Sequence, residues 1–138
     1  YGPGTQINDQ RVLNQFIVSS IRNNEISLLD LGKNSRKYIY IDDAISMILN
    51  ISLNGKGEVY NVGGKEKITI LGLAKKIQKI TKCNLKTNNK NNGLIGAPLN
   101  VGINISKYEN EFEKINFKKL NYGLKETILW YKKILNIS

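Results

Sequence analysis

Apolar and polar positions follow a helical rhythm over several stretches of the chain. Val12, Leu13, Phe16, Ile17 and Ile21 recur at i, i+1, i+4, i+5 and i+9, which is one face of a helix, and Asp9 stands where it would cap the start. In "ITILGLAKKIQKITK", Ile70, Leu73, Ala74, Ile77 and Ile80 line one side and Lys75, Lys76, Lys79 and Lys82 another, with Thr69 as the expected N-cap. "LNYGLKETILWYKKIL" is again amphipathic, with Leu120, Leu124, Ile128, Tyr131 and Leu135 on its buried side. "DDAISMILNISL" reads as a buried helix with an acid at its start, where a carboxylate meets unpaired N–H groups and the positive end of the dipole; "ISKYENEF" reads as a short helix. Three apolar runs, "ISLLDLG", "KYIYI" and "GEVYNVGG", predict strands. The stretch from Lys86 to Val101, rich in Asn and Gly and carrying Pro98, predicts a long loop of the kind that often carries function. Tyr1-Gly2-Pro3-Gly4 is a tight reversal, and a reversal needs an element before it, so the chain is expected to begin inside a larger gene product.

Composition narrows the class. A chain of 138 residues, 41% hydrophobic and 23% charged, suits one globular domain with a real core. No apolar run approaches the ~20 residues that cross a bilayer, no signal peptide is visible, and no membrane partner is expected. The single Cys83 excludes an internal disulfide and a multi-Cys metal site; it reads as a passive thiol in a reducing, cytoplasmic setting. The chain holds no His, so the commonest general base and zinc ligand is missing. The net charge of +10 is the one extreme value, and it is built almost wholly from Lys, with Arg only at positions 11, 22 and 36. It fits either a polyanionic partner or a solvated surface drawn from an AT-rich coding sequence that also enriches Asn and Ile.

Searched by residue type, the chain shows no complete catalytic apparatus. "VGGK" at Val62 to Lys65 lacks the spacing of a Walker loop or a dinucleotide fingerprint. Asp42 and Asp43 are adjacent at a helix start and read as capping residues, while Glu109, Glu111 and Glu113 read as a solvated face, so no metal is expected. Arg36, in "GKNSRKYIY", is the candidate of interest: a guanidinium gives a phosphate two parallel charge-assisted bonds where Lys gives a point charge, and its competing role is a surface salt bridge.

Taken in order, "YGPG", "RVLNQF", "LLDLGKNSRKYIYIDDA", "GEVYNVGG", "ITILGLAKKI", "NISKYE" and "LNYGLKETILWY" resemble the C-terminal, nucleotide-sugar-binding part of the extended short-chain dehydrogenase/reductases, the NAD-dependent epimerases, dehydratases and decarboxylases. The resemblance covers nearly the whole chain. It implies the C-terminal portion of a Rossmann-type α/β fold with an incomplete cofactor domain: a small mixed sheet, four to five helices, and residues 1–138 forming a single substrate domain. It also implies that the NAD site and the Tyr-xxx-Lys catalytic pair lie before Tyr1, so that no catalytic or cofactor-binding residue is expected here, and that the chain is inactive alone. Carried over position by position, Arg36 matches the Arg that holds the diphosphate and Asn61 an Asn near it. Arg11, Val12 and Leu13 match a segment wrapping the nucleotide, and Ser27, Leu28, Leu29 and Asp30 match the run along base and ribose. The partner so implied is a nucleotide-diphosphate sugar.

The chain departs from that pattern in two places. "LIGAPLN" stands where the family has an Arg-bearing loop, with Leu94 and Asn100 at positions expected to be basic, and Lys37 replaces the acid that follows the Arg. The first departure weighs against a decarboxylase more than against an epimerase or dehydratase. The alternative is a stand-alone basic nucleic-acid-binding module, disfavoured by the dispersal of Lys along the sequence and the lack of interleaved aromatics. As a fragment, the chain would expose apolar surface near "YNVGG" and tend to self-associate.

Overall fold

The computed structural model describes residues 1–88, 98–112 and 115–137. Its first helix, α1 (Val12–Arg22), buries the predicted stripe through Leu13, Phe16 and Ile17. Arg11 rather than Asp9 takes the N-cap position, and no side chain caps the helix. Asp9 lies two residues too early: its carboxylate accepts the N–H of Arg11 itself at 2.9 Å, where a cap would reach the N–H groups of the first turn.

The strands are short. β1 (Glu25–Ser27) pairs in parallel with β4 (Asn84–Lys86), Ile26 opposite Leu85. β2 (Ser35–Lys37) pairs antiparallel with β3 (Lys67–Thr69), Arg36 opposite Ile68. Thus "ISLLDLG" stays in a ladder only through Ser27, and "KYIYI" leaves its ladder at Lys37. Further along, the backbone bonds Tyr1 instead: the Tyr1 nitrogen donates to Ile39 O at 3.0 Å and Ile41 N donates to Tyr1 O at 2.9 Å, the bond pair of a parallel bridge. "GEVYNVGG" forms no regular strand, since its backbone finds no ladder partner among the described residues. The predicted loop from Lys86 begins one residue inside β4, and its residues 89–97 lie outside the described residues.

α2 (Ile41–Asn54) corrects the expectation of a buried helix. Only Asp43 and Met47 are buried, while Ile45, Ile48, Leu49 and Leu53 are 47–78% exposed. Asp42 and Asp43 sit in its first turn but serve Lys118: the Lys118 N–H donates to Asp43 Oδ2 at 2.9 Å, and the ammonium pairs with Asp42. α3 (Ile70–Thr81) behaves as predicted. Thr69 Oγ1 accepts the Gly72 N–H at 3.0 Å, and the helix ends on Lys82 in the left-handed region at φ 60°. α4 (Ser106–Glu111) and α5 (Leu120–Ile134) complete the chain.

The main core lies where α1, α3 and α5 meet, with Ile17, Leu73, Ile77, Leu124 and Tyr131 fully buried and Cys83 packed among them. Burying each large aliphatic side chain there contributes roughly 1.5–3 kcal/mol. Met47, Ile105 and Tyr108 form a second, smaller cluster between α2 and α4. The architecture is α/β with five helices among the described residues, as the sequence implies. The small mixed sheet is divided into two two-stranded ladders, one parallel and one antiparallel.

Candidate functional site

Val12, Gln15, Phe16 and Ser19 lie at i, i+3, i+4 and i+7 of α1 and so share one stripe. That stripe walls a cleft of roughly 350 Å³, closed on its other sides by Ser27, Leu28, Leu29 and Asp30 leaving β1, by Asn34 and Arg36 around β2, and by Ile70 at the start of α3. The walls are largely apolar, and Leu29 stands 76% exposed at the rim. Most of this surface suits a flat, weakly polar group, with polar side chains at a few fixed points.

The turn between β1 and β2 is held from two sides. Asp30 Oδ1 accepts the Gly32 N–H at 2.7 Å, and Gly32 takes φ 62° against α3, where an added Cβ would come within 2.7 Å of Leu71 N. The first N–H groups of α3 then donate to the turn, Ile70 to Asn34 O at 2.8 Å and Leu71 to Gly32 O at 3.0 Å. Helix start, turn and strand are therefore tied together by backbone hydrogen bonds.

Arg36 is anchored through one nitrogen: Nη1 donates to Ser35 O at 2.8 Å and Pro98 O at 3.1 Å. Among the described residues no carboxylate pairs with it, which removes its competing salt-bridge role there. Asn100, at a position expected to be basic, is spent on structure: Ser35 Oγ donates to its Oδ1 at 2.6 Å. Leu94 lies outside the described residues.

Of the residues singled out by sequence, the cleft gathers Val12, Ser27, Leu28, Leu29, Asp30 and Arg36. Arg11, Leu13 and Asn61 are elsewhere. The Arg11 guanidinium is gripped by Asp9, and this bonding pulls the Asp9 carboxyl down to about 2. Leu13 is core. Asn61 Nδ2 donates to Asn104 O at 2.9 Å and does not line the cleft with Arg36. Gln15, Phe16, Ser19, Asn34 and Ile70 were not foreseen as lining residues; the signal for the α1 members is the polar stripe flanking Phe16 at helical spacing.

The remaining candidates are structural. Glu109 pairs with Lys65, and Glu111 accepts the Tyr60 hydroxyl at 2.5 Å and the Lys56 N–H at 2.6 Å, so both cross-link segments and are more than a solvated face. Glu113 lies outside the described residues. Among the described residues no three metal-binding side chains cluster, and no helix is long and apolar enough to cross a membrane.

Residues 1–63 match the model of the NAD dependent epimerase/dehydratase family. The chain is 37% identical over 82 residues to a dTDP-D-glucose 4,6-dehydratase of Dictyostelium discoideum, covering 59% of this chain and 18% of that enzyme. It is 29% identical over 140 residues to the Bos taurus enzyme of the same name, covering 96% of this chain and 38% of the relative. Its fold matches the crystal structure of a UDP-glucuronic acid 4-epimerase from Bacillus cereus, in complex with UDP-glucuronic acid and NAD, with a TM-score of 0.82 at 25% identity over 97% of this chain and 43% of that one. In sequence and in fold, the chain thus resembles members of the NAD dependent epimerase/dehydratase family, whose model its first 63 residues match. It spans less than half the length of either full-coverage relative.

Proposed function

We propose that this chain is the nucleotide-sugar-binding portion of an NAD-dependent sugar-nucleotide epimerase or dehydratase, and that the cleft between α1 and the β1–β2 turn holds the nucleoside diphosphate. One observation carries the reading: Arg36 lines an apolar cleft with no carboxylate partner among the described residues. A guanidinium left unpaired beside apolar walls is suited to a ligand that brings both an aromatic face and a diphosphate. Arg36 binds the phosphates, while Val12 and the Ser27–Asp30 run lie along base and ribose. Leu13, in the core beneath α1, supports the helix that walls the cleft, while Arg11 and Asn61 stand outside it.

NAD would belong to the fuller enzyme, where it would supply the hydride chemistry. The sequence offers no Gly-rich dinucleotide fingerprint for it. The nearest Gly pair is filled by the protein itself, since a Cβ on Gly64 would meet Tyr38 O at 1.9 Å and one on Gly63 would meet Ile103 at 3.2 Å. Hydride transfer and the proton handling that accompanies it are therefore assigned outside this chain, which is inactive alone.

Titration with UDP, dTDP, CDP and GDP sugars tests the reading. One nucleotide class should bind selectively, and Arg36→Ala should weaken it at least ten-fold, the loss expected when a charge-assisted bidentate contact goes. Absence of binding by all four would sink the proposal. A second reading, a basic nucleic-acid module, is favoured by one feature: Lys75, Lys76, Lys79 and Lys125 gather around an open groove between α3 and α5 with no acidic residue in its lining. No aromatic ring lines that groove for bases to stack on. Oligonucleotide affinity falling steeply with salt, together with indifference to sugars, would favour it over the first reading.

A further inference from the structure

The relatives leave open which nucleotide the cleft takes, since their names include both dTDP and UDP sugars. We infer that this cleft selects a ribonucleoside over a 2′-deoxyribonucleoside diphosphate, and that Asp30 makes the selection by accepting the 2′-hydroxyl. The inference rests on the proposed function above.

Two ionised groups line the cleft among the described residues, Asp30 and Arg36. Neither neutralises the other or any other group there, since all four ion pairs among the described residues involve different side chains. Arg36 attracts the diphosphate, so a lone carboxylate in the same cleft is tolerated only facing the part of the ligand that offers donors and no negative charge. In a nucleoside diphosphate the ribose hydroxyls and the N–H groups of the base both meet that condition, and the ribose is the part joined directly to the diphosphate that Arg36 attracts.

Asp30 is also built to point. Its Oδ1 is committed to Gly32 N at 2.7 Å, in a turn fixed against α3 through Leu71, while Oδ2 has no partner among the described residues. One oxygen thus sets the plane of the carboxylate and the other is left to accept. A hydroxyl donating to a carboxylate makes a stronger bond than a neutral pair, and a ligand lacking the hydroxyl leaves that desolvated oxygen unsatisfied. Discrimination follows from both effects.

The test compares UDP with 2′-deoxy-UDP, which differ only in the hydroxyl, by calorimetric titration of the intact protein. UDP should bind about ten-fold more tightly, the least that a hydrogen bond to a charged group is worth. Asp30→Asn, whose one carbonyl oxygen can keep the bond to Gly32 N while an amide donor replaces Oδ2, should lose most of the preference by weakening UDP more than 2′-deoxy-UDP. Asp30→Ala, which also removes the bond that holds the turn, should abolish the preference and weaken both nucleotides. Equal binding of the two nucleotides by the unmodified protein would overturn the inference and leave the nucleotide cleft standing. So would an Asp30→Asn variant that keeps the full preference, since the carboxylate would then not be the acceptor. Failure of both nucleotides to bind, together with failure of the dTDP, CDP and GDP sugars, would reject the cleft reading itself, and the inference with it.

Discussion

At the scale of single residues, the buried polar contacts carry the sharpest consequences. Asn14 is 3% exposed on α1, where its Nδ2 donates to Asp9 O at 2.8 Å and its Oδ1 accepts the Tyr131 hydroxyl from α5. One carboxamide thereby ties the opening segment, α1 and α5 together. Burial pushes the Tyr131 phenol up to about 12 from an ordinary value of 10.0. A pKa raised in the folded state contributes stability below the unfolded value and loses it as pH climbs through the folded one. Stability should therefore fall between pH 10 and about 12 as unfolding releases the phenol to ionise. Tyr131→Phe should cost roughly 1–3 kcal/mol at neutral pH, because Asn14 Oδ1 is left buried without its donor. The same variant should flatten the alkaline loss. Denaturant titrations across that pH range measure both effects, and an unchanged neutral stability would mean that Asn14 finds another donor.

At the scale of elements, legibility followed periodicity. α1, α3 and α5 were readable because each repeats an apolar stripe over several turns, enough to define a face. The strands are three residues each, too short to display alternation, and their positions depend on partners distant in sequence, so "KYIYI" and "GEVYNVGG" read as strands on composition while the ladder formed at Ser35–Lys37. α2 misled because its apolar residues spread around the helix, which signals burial only when something covers every side. In the cleft, Arg36 stands out by residue type and the Ser27–Asp30 run only through the family resemblance, whereas Gln15, Asn34 and Ile70 enter only once α1, the turn and α3 are assembled. Lysine placement was equally hidden. Positions dispersed along the chain converge when α3 and α5 pack, so that Lys75 and Lys79, one turn apart on α3, face Lys125 across a groove. Like charges at i, i+4 destabilise by about 0.2–0.5 kcal/mol, and the cross-helix neighbour adds to this. Lys79→Gln should accordingly raise the thermal midpoint slightly at low ionic strength, with the gain vanishing in high salt as screening takes over. A gain that survives in high salt would assign it to helix propensity and not to repulsion.

At the scale of the molecule, two opposing surfaces decide whether copies of the chain stay apart. The net charge of +10 repels, and the repulsion reaches only about 10 Å at 0.1 M salt. The outer face of α2 attracts: Ile45, Ile48, Leu49 and Leu53, spaced i, i+3, i+4 and i+8, are each at least 47% exposed, and α2 carries no basic residue to break the patch. Val59, 72% exposed in the segment that follows, adds to the apolar surface left open. Contiguous apolar surface of this kind is uncommon on a monomer, and its contacts strengthen as salt removes the charge barrier. The chain is therefore expected to associate more at 0.5 M than at 0.05 M salt, roughly speaking, on either side of the screening threshold. This is the reverse of an assembly held by its lysines. Sedimentation velocity at several protein concentrations should show the weight-average mass rising with both variables. Leu49→Lys combined with Leu53→Glu should restore the monomer at every salt concentration without lowering helix content, because neither side chain is buried in the fold. A wild-type chain that remains monomeric in high salt would mean that the α2 side chains cover one another well enough to need no partner.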